Sequence, residues 1–399
     1  MKSTCFAKVW LFPLITGLSV SFGSTLAADD DWDALMDEFR ETEGLLNAWE
    51  REAYAEPVSP SGWQHSVDLA PLLGWTDNLL RSRDRVSSAY TGLQLDGFLL
   101  GFPDAQTRVT GFLLADYRVY SADVEVDSET MVVAGLEWLR QPQDWGWLAA
   151  VDLYYGDHLF ELFEQDIGVP VDSERFRQHQ VGGRVGLRRA LGQQQELRFE
   201  ISAYRNWFGE SFYDYDEGRA RLDHRIQVTP KLRWVSYYQF GNERYSELVP
   251  RDANGSFLLD RSLLVQRHLL AVEPNWTLTR DEALSLRVTL SHEWFEDVHG
   301  AYNQRRQARL RPSLVWRLDA WEHRLNLEFS SVQYAHRPAS LLDQRRLKQE
   351  RWAASYAATY WFSERHSAAL QYAFTEVDSL RSSDVYSRHQ LEGHWRFYF

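Results

Sequence analysis

From Trp63 to the last residue the chain alternates apolar and polar side chains in stretch after stretch. Leu197, Phe199 and Ile201 alternate with Arg198 and Glu200. Leu284, Leu286, Val288 and Leu290 alternate with Ser285, Arg287 and Thr289, and Leu325, Leu327 and Phe329 with Asn326 and Glu328. A period of two puts each set on its own face of a β-strand. Sixteen such stretches can be marked, at 63–76, 87–100, 106–121, 128–141, 145–156, 176–190, 194–207, 217–229, 231–245, 262–278, 282–296, 304–319, 322–335, 349–363, 366–378 and 385–399. Roughly nine to eleven residues suffice for a tilted strand to cross a bilayer, and each stretch is at least that long. Pro312 sits on the apolar face of one of them, where its missing N–H predicts a local bulge.

The connections sort by parity. Every second one is short and turn-like, at 102–104, 141–144, 192–193, 229–231, 279–281, 319–321 and 363–365. The others are mostly longer, notably 157–175, 208–216, 246–261 and 336–348. Short turns at one end and long loops at the other are the pattern of a transmembrane β-barrel. An antiparallel sandwich has no reason to sort its loops this way. Aromatic residues fall in two bands: Trp138, Trp145, Trp147, Trp234, Trp276, Trp316, Trp361 and Trp395 near the short turns, and Tyr117, Tyr155, Trp207, Phe240, Trp294, Tyr334 and Trp352 toward the opposite ends. Amphipathic rings favour both lipid–water interfaces.

The first 60 residues break the alternation. Lys2 and Lys8 precede a mostly apolar run from Val9 to Phe22, and Gly23, Ser24, Ala27 and Ala28 follow, which predicts a secretory signal peptide over 1–28. Cys5, the one cysteine, lies within it, so the mature chain has no disulfide and no cysteine-based metal site. In the segment 29–60, Asp29, Asp30 and Asp31 lead into Trp32, Leu35, Met36 and Phe39 at helical spacing, and Pro57 and Pro60 close it. This predicts a short amphipathic periplasmic helix that docks beneath the barrel, plugs it or meets a partner; an acidic leader without fixed structure is the plain alternative.

Composition narrows the class. No apolar run after residue 28 is long enough for a membrane helix, whereas a barrel needs only every second residue apolar. A net charge of −14 argues against a nucleic-acid partner. The expected fold is therefore all-β: a single transmembrane antiparallel β-barrel of about 16 strands over 61–399.

Two segments carry a resemblance. Leu391, Gly393, Trp395, Phe397 and Phe399 share one face of a closing strand that ends on phenylalanine, and this resembles the end of Gram-negative outer-membrane β-barrels, porin-like as a class. The segment Leu73, Gly74, Trp75, Thr76, Asp77, Asn78 resembles the entry of the β-barrel porin-2 type, with Thr76 in place of an aspartate. The resemblance implies an outer-membrane location, contact with outer-membrane lipid and lipopolysaccharide, and recognition by the barrel-assembly machinery through the strand ending at Phe399.

The lumen is expected to be strongly charged. Arg184, Arg188, Arg219, Arg221, Arg225, Arg309, Arg311, Arg317, Arg324 and Arg396 fall on inward positions, with Tyr237, Tyr204 and Trp361 among them. Asp68, Asp96, Asp116, Glu137, Asp152, Glu200, Glu273, Glu328 and Glu392 are interspersed. Guanidinium groups suit carboxylate, phosphate or sugar hydroxyls; equally, they can pair with the neighbouring acids and stiffen the wall. The acidic loop 157–175 folds inward as a constriction, binds divalent cations or stays solvated. Ser387 and His389 share the lipid-facing side of the last strand, which a membrane-facing esterase could use, but no Gly-x-Ser-x-Gly, His-Glu-x-x-His or phosphate-binding glycine loop occurs. The expectation is a non-enzymatic outer-membrane channel for a hydrophilic, anionic or saccharide solute, with no cofactor and no metal. The alternatives are a structural or assembly barrel of an envelope or exopolysaccharide-export system, with a plugged lumen and a periplasmic partner at 29–60, and a barrel-embedded lipid hydrolase.

Overall fold

Each alternating stretch forms one antiparallel strand. In chain order they are β1 Gly62–Thr76, β2 Ser88–Asp104, β3 Thr107–Tyr120, β4 Ser128–Arg140, β5 Trp145–Phe160 and β6 Glu174–Ala190. Then come β7 Gln195–Phe208, β8 Tyr215–Thr229, β9 Leu232–Tyr245, β10 Leu264–Thr277 and β11 Leu284–Asp297. The last five are β12 Arg305–Leu318, β13 Trp321–Pro338, β14 Arg346–Ser363, β15 His366–Ser379 and β16 Tyr386–Tyr398. This computed structural model describes residues 62–399 except 81–84, 123–126, 143, 161–173, 193, 210–212, 280–282, 341–342 and 382–383. The expected signal peptide, the 29–60 helix and most of the acidic loop 157–175 lie outside the described residues.

Every strand pairs with its sequence neighbours, and β1 closes on β16 with Leu69 opposite Phe397 and Leu73 opposite Gly393. The Phe399 amide extends the seam by donating to the Val67 carbonyl at 3.0 Å. Closure leaves no sheet edge to satisfy. Strand ends fall within a few residues of the sequence reading except where pairing runs on into the polar loops. β5 and β6 continue to Phe160 opposite Glu174, and β13 and β14 extend to Pro338 opposite Arg346. Extending a ladder satisfies backbone groups whatever the side chains are, so a polar sequence does not end it.

The faces are inverted relative to a water-soluble protein. On β7, Phe199 and Ile201 are 41% and 51% exposed on the outside, whereas Arg198 and Glu200 are each 7% exposed on the inside. Such an exterior is stable only in lipid, and the chain is an outer-membrane β-barrel. No helix among the described residues is long and apolar enough to cross a membrane; the crossing is made by strands. Trp138, Trp145, Trp147, Trp234 and Trp395 are exposed near the short-turn end, and Tyr117, Trp207 and Trp352 toward the other. Tyr334 leaves the expected band and is buried facing inward. Trp361, expected both near the short turns and on an inward position, stacks on the inward Tyr398 ring at 5.1 Å.

The bulge expected at Pro312 does not form. Leu310 faces Phe329 and Ser313 faces Asn326 in one unbroken register, with Arg311 and Pro312 left unbridged between them. On its other side Pro312 pairs with Val288. Pro71 and Pro274 repeat the arrangement, each inside a two-residue gap in the ladder to one neighbour, β16 and β11 respectively. The barrel accommodates a missing donor by skipping two bridges, which costs less than shifting every side chain beyond it to the wrong face. Pro312→Val should restore the donor on a lipid-facing site and raise stability by about 1 kcal/mol, read as a higher urea midpoint of the refolded protein.

Candidate functional site

The inward positions of β3 to β7 form one connected network. Glu137 is reached by Arg108 at 3.2 Å, Arg184 at 3.3 Å and Arg198 at 3.6 Å. Arg184 also reaches Asp152 at 3.2 Å and Glu200 at 3.6 Å, and Arg198 pairs with Glu200. Tyr204 donates its hydroxyl to Asp152 at 3.2 Å. Its ring lies across Gly182, where a Cβ would stand 1.9 Å from Tyr204 Cδ1. Glycine is required there because the tyrosine occupies the space a side chain would fill.

The remaining arginines are taken up in the same way. Arg188 and Arg225 reach Glu196 at 2.5 and 3.7 Å. Arg219 pairs with Glu217, and Arg221 with Asp223 at 2.8 Å. Arg221 also lies 3.8 Å over the centroid of Tyr237, which is 6% exposed. Glu328 collects Arg311 at 3.0 Å, Arg351 at 3.8 Å and Arg309 at 3.9 Å. Arg317 meets Glu322 at 2.8 Å, and Arg396 meets Asp96 at 2.8 Å and Asp68 at 3.9 Å. The candidate residues thus line the interior without converging on one centre; they are spread around the wall on different strands, each against an acid on its own or a nearby strand.

One sector is different. The inward residues of β14 include Ala353, Ser355, Ala357 and Thr359, and those of β15 include Ser367, Ala369 and Ala373. Short side chains leave room, and a water-accessible cavity of about 30 Å³, open to solvent, lies beside them. Glu322, Arg324, Arg396, His394, Gln94 and Gln371 supply its polar lining. Of the inward arginines expected from the sequence, Arg324 and Arg396 reach it. The signal was available at period two, as the stretch where every inward position is small or uncharged, but a search for charged groups passes over it.

The exterior pair Ser387 and His389 have separate partners. Ser387 Oγ accepts from Arg85 at 2.5 Å, and His389 Nδ1 lies 2.7 Å from the Tyr372 hydroxyl. Among the described residues no group of three His, Cys, Asp or Glu is arranged to hold a metal ion.

No protein-family model and no curated protein matches the chain. Solved structures similar to it include the loop L8 deletion mutant of OmpT, an outer membrane protein of Vibrio cholerae, at 9% identity over 86% of this chain and 100% of that one, with a TM-score of 0.44. The outer membrane protein opdK from Pseudomonas aeruginosa is 8% identical over 84% and 99%, TM-score 0.44. A bacterial polysaccharide outer membrane secretin is 11% identical over 84% and 98%, TM-score 0.43. At these scores the likeness carries nothing about solute or partner.

Proposed function

We propose that the barrel is a channel for a small hydrophilic solute, with passage along the inner wall of β14 and β15 and a preference for anions. The observation that carries this reading is the cavity beside Ala357 and Ala369, where the interior is not filled by ion pairs. Arg324 and Arg396 line it, and guanidinium donors suit a carboxylate, including that of an acidic saccharide. The wider set from Arg184 to Arg317 sets the potential along the lumen, on this reading, more than it touches the solute. Lipopolysaccharide outside, the assembly machinery at the closing strand and a periplasmic partner at 29–60 belong to the same proposal.

Single-channel conductance of the refolded protein in a planar bilayer, under a salt gradient, tests it. Steady openings with a reversal potential toward anion selectivity are expected, and Ala357→Trp should lower the conductance severalfold while leaving the fold intact. Cation selectivity, or an Ala357→Trp variant that conducts like the parent, would contradict it. The density of buried ion pairs favours a second reading, a structural barrel with a closed lumen. That reading expects a silent protein, and opening only after deletion of 29–60 would make that segment the plug.

A further inference from the structure

At the outer end of β13 the ladder to β14 shifts between Gln333 and Pro338. A bulge re-aims the side chains it contains, and this one turns Arg337 inward. Arg337 is 7% exposed, and its guanidinium lies 5.0 Å from the Tyr334 centroid and 5.9 Å from that of Tyr302. Among the described residues it has no ion pair and no hydrogen bond, and its Nε is buried without a partner. Cation–π contact holds a guanidinium without neutralising it.

A second buried guanidinium stands beside it. Arg381, in the loop between β15 and β16, is 4% exposed and donates from Nε to the Ala339 carbonyl at 3.1 Å. Burial first, and then the Arg337 charge, push the Arg381 guanidinium down from its ordinary value, while Asp384 acts the other way. Asp384 is already accepting from Gln349 Nε2 at 2.8 Å and Ser379 Oγ at 3.4 Å. Two desolvated guanidinium groups side by side are costly, and the Asp384 carboxylate offsets part of that cost. An oxyanion relieves that cost, since charge-assisted bonds to guanidinium are the strong ones.

We propose that Arg337 and Arg381 form an oxyanion site at the outer mouth, taking a carboxylate or phosphate group carried by an incoming solute. Its role as a first stop rests on the channel reading; the binding itself does not. Below it the stack continues inward, with Arg305 at 3.9 Å and Arg267 at 4.7 Å from the Phe295 centroid. Arg267 in turn meets Glu293 at 2.7 Å and Glu243 at 3.0 Å.

Calorimetric titration of the refolded full chain with sodium phosphate, and separately with sodium glucuronate, at constant ionic strength tests the site. Saturable binding of at least one anion is expected, weakened by about tenfold or more in Arg337→Gln, the loss of one charged hydrogen bond. Heat-modifiable gel migration reports whether the variant folds; if it does not, Arg337→Lys, which keeps the charge but loses the planar donors, should bind several-fold more weakly. No saturable heat with either anion, or a folded variant that binds like the parent, would overturn the proposal. So would binding confined to lipopolysaccharide micelles, which places the phosphate on the lipid side. A protein that binds but never conducts keeps the site and removes the channel, whereas conduction without binding removes the site alone.

Discussion

Glu328→Gln should destabilise the barrel by about 3 kcal/mol, at the lower end of the 3–5 kcal/mol range for breaking a buried ion pair because the carboxylate keeps 14% of its surface exposed. The amide has the same shape, so no cavity forms and the loss is electrostatic. Glu328 on β13 is the acid toward which Arg309 and Arg311 of β12 and Arg351 of β14 all point, and without it three cations face one another across adjacent strands. An exposed pair would cost at most about 1 kcal/mol. The urea midpoint of the refolded protein separates the two magnitudes, and a loss near the smaller one would mean that water already screens the cluster. In a conducting barrel the same substitution should move the reversal potential further toward anions, since one negative charge is removed from the wall.

Gly182→Ala should cost about 1–3 kcal/mol, the range for overpacking a fixed core. The new methyl group would overlap Tyr204, and the tyrosine is held on three sides. Its hydroxyl is on Asp152 at 3.2 Å, Arg219 lies 5.2 Å over its ring, and only 4% of it is exposed. Gly218→Ala is the matched control, because nothing stands within 4 Å of its Cβ position. Equal urea midpoints for the two variants would assign the effect to the backbone and remove the packing argument.

The barrel was legible because its two signals are local. Period-two alternation names the faces strand by strand, and loop parity names the ends, so Leu290 outside and Arg311 inside follow without knowing any partner. Pro312 was misread because the sequence shows the missing donor but not which neighbour it faces; the choice between a bulge and a skipped bridge is made by the register of the whole sheet. Tyr334 was misread because position along a strand gives depth, and depth alone does not separate an outward ring from an inward one. For Arg184 or Arg221 the inward direction was readable and the partner was not, since Glu137 and Tyr237 reach them across neighbouring strands. Arg337 was passed over entirely. Strict alternation ends before it, and only the shift between Gln333 and Pro338 turns it in.

The short side chains of β14 and β15 make the interior lopsided. On β3 to β8 the inside behaves as the core of a water-soluble protein does, crowded and cooperative, so that almost any change there is felt as lost rigidity. At Ala357 and Ala369, beside the cavity, a larger residue meets open space and alters little but the bore. If the solute passes there, as proposed, strength and throughput are carried by different positions of one cylinder, and a descendant sequence can retune the second without renegotiating the first.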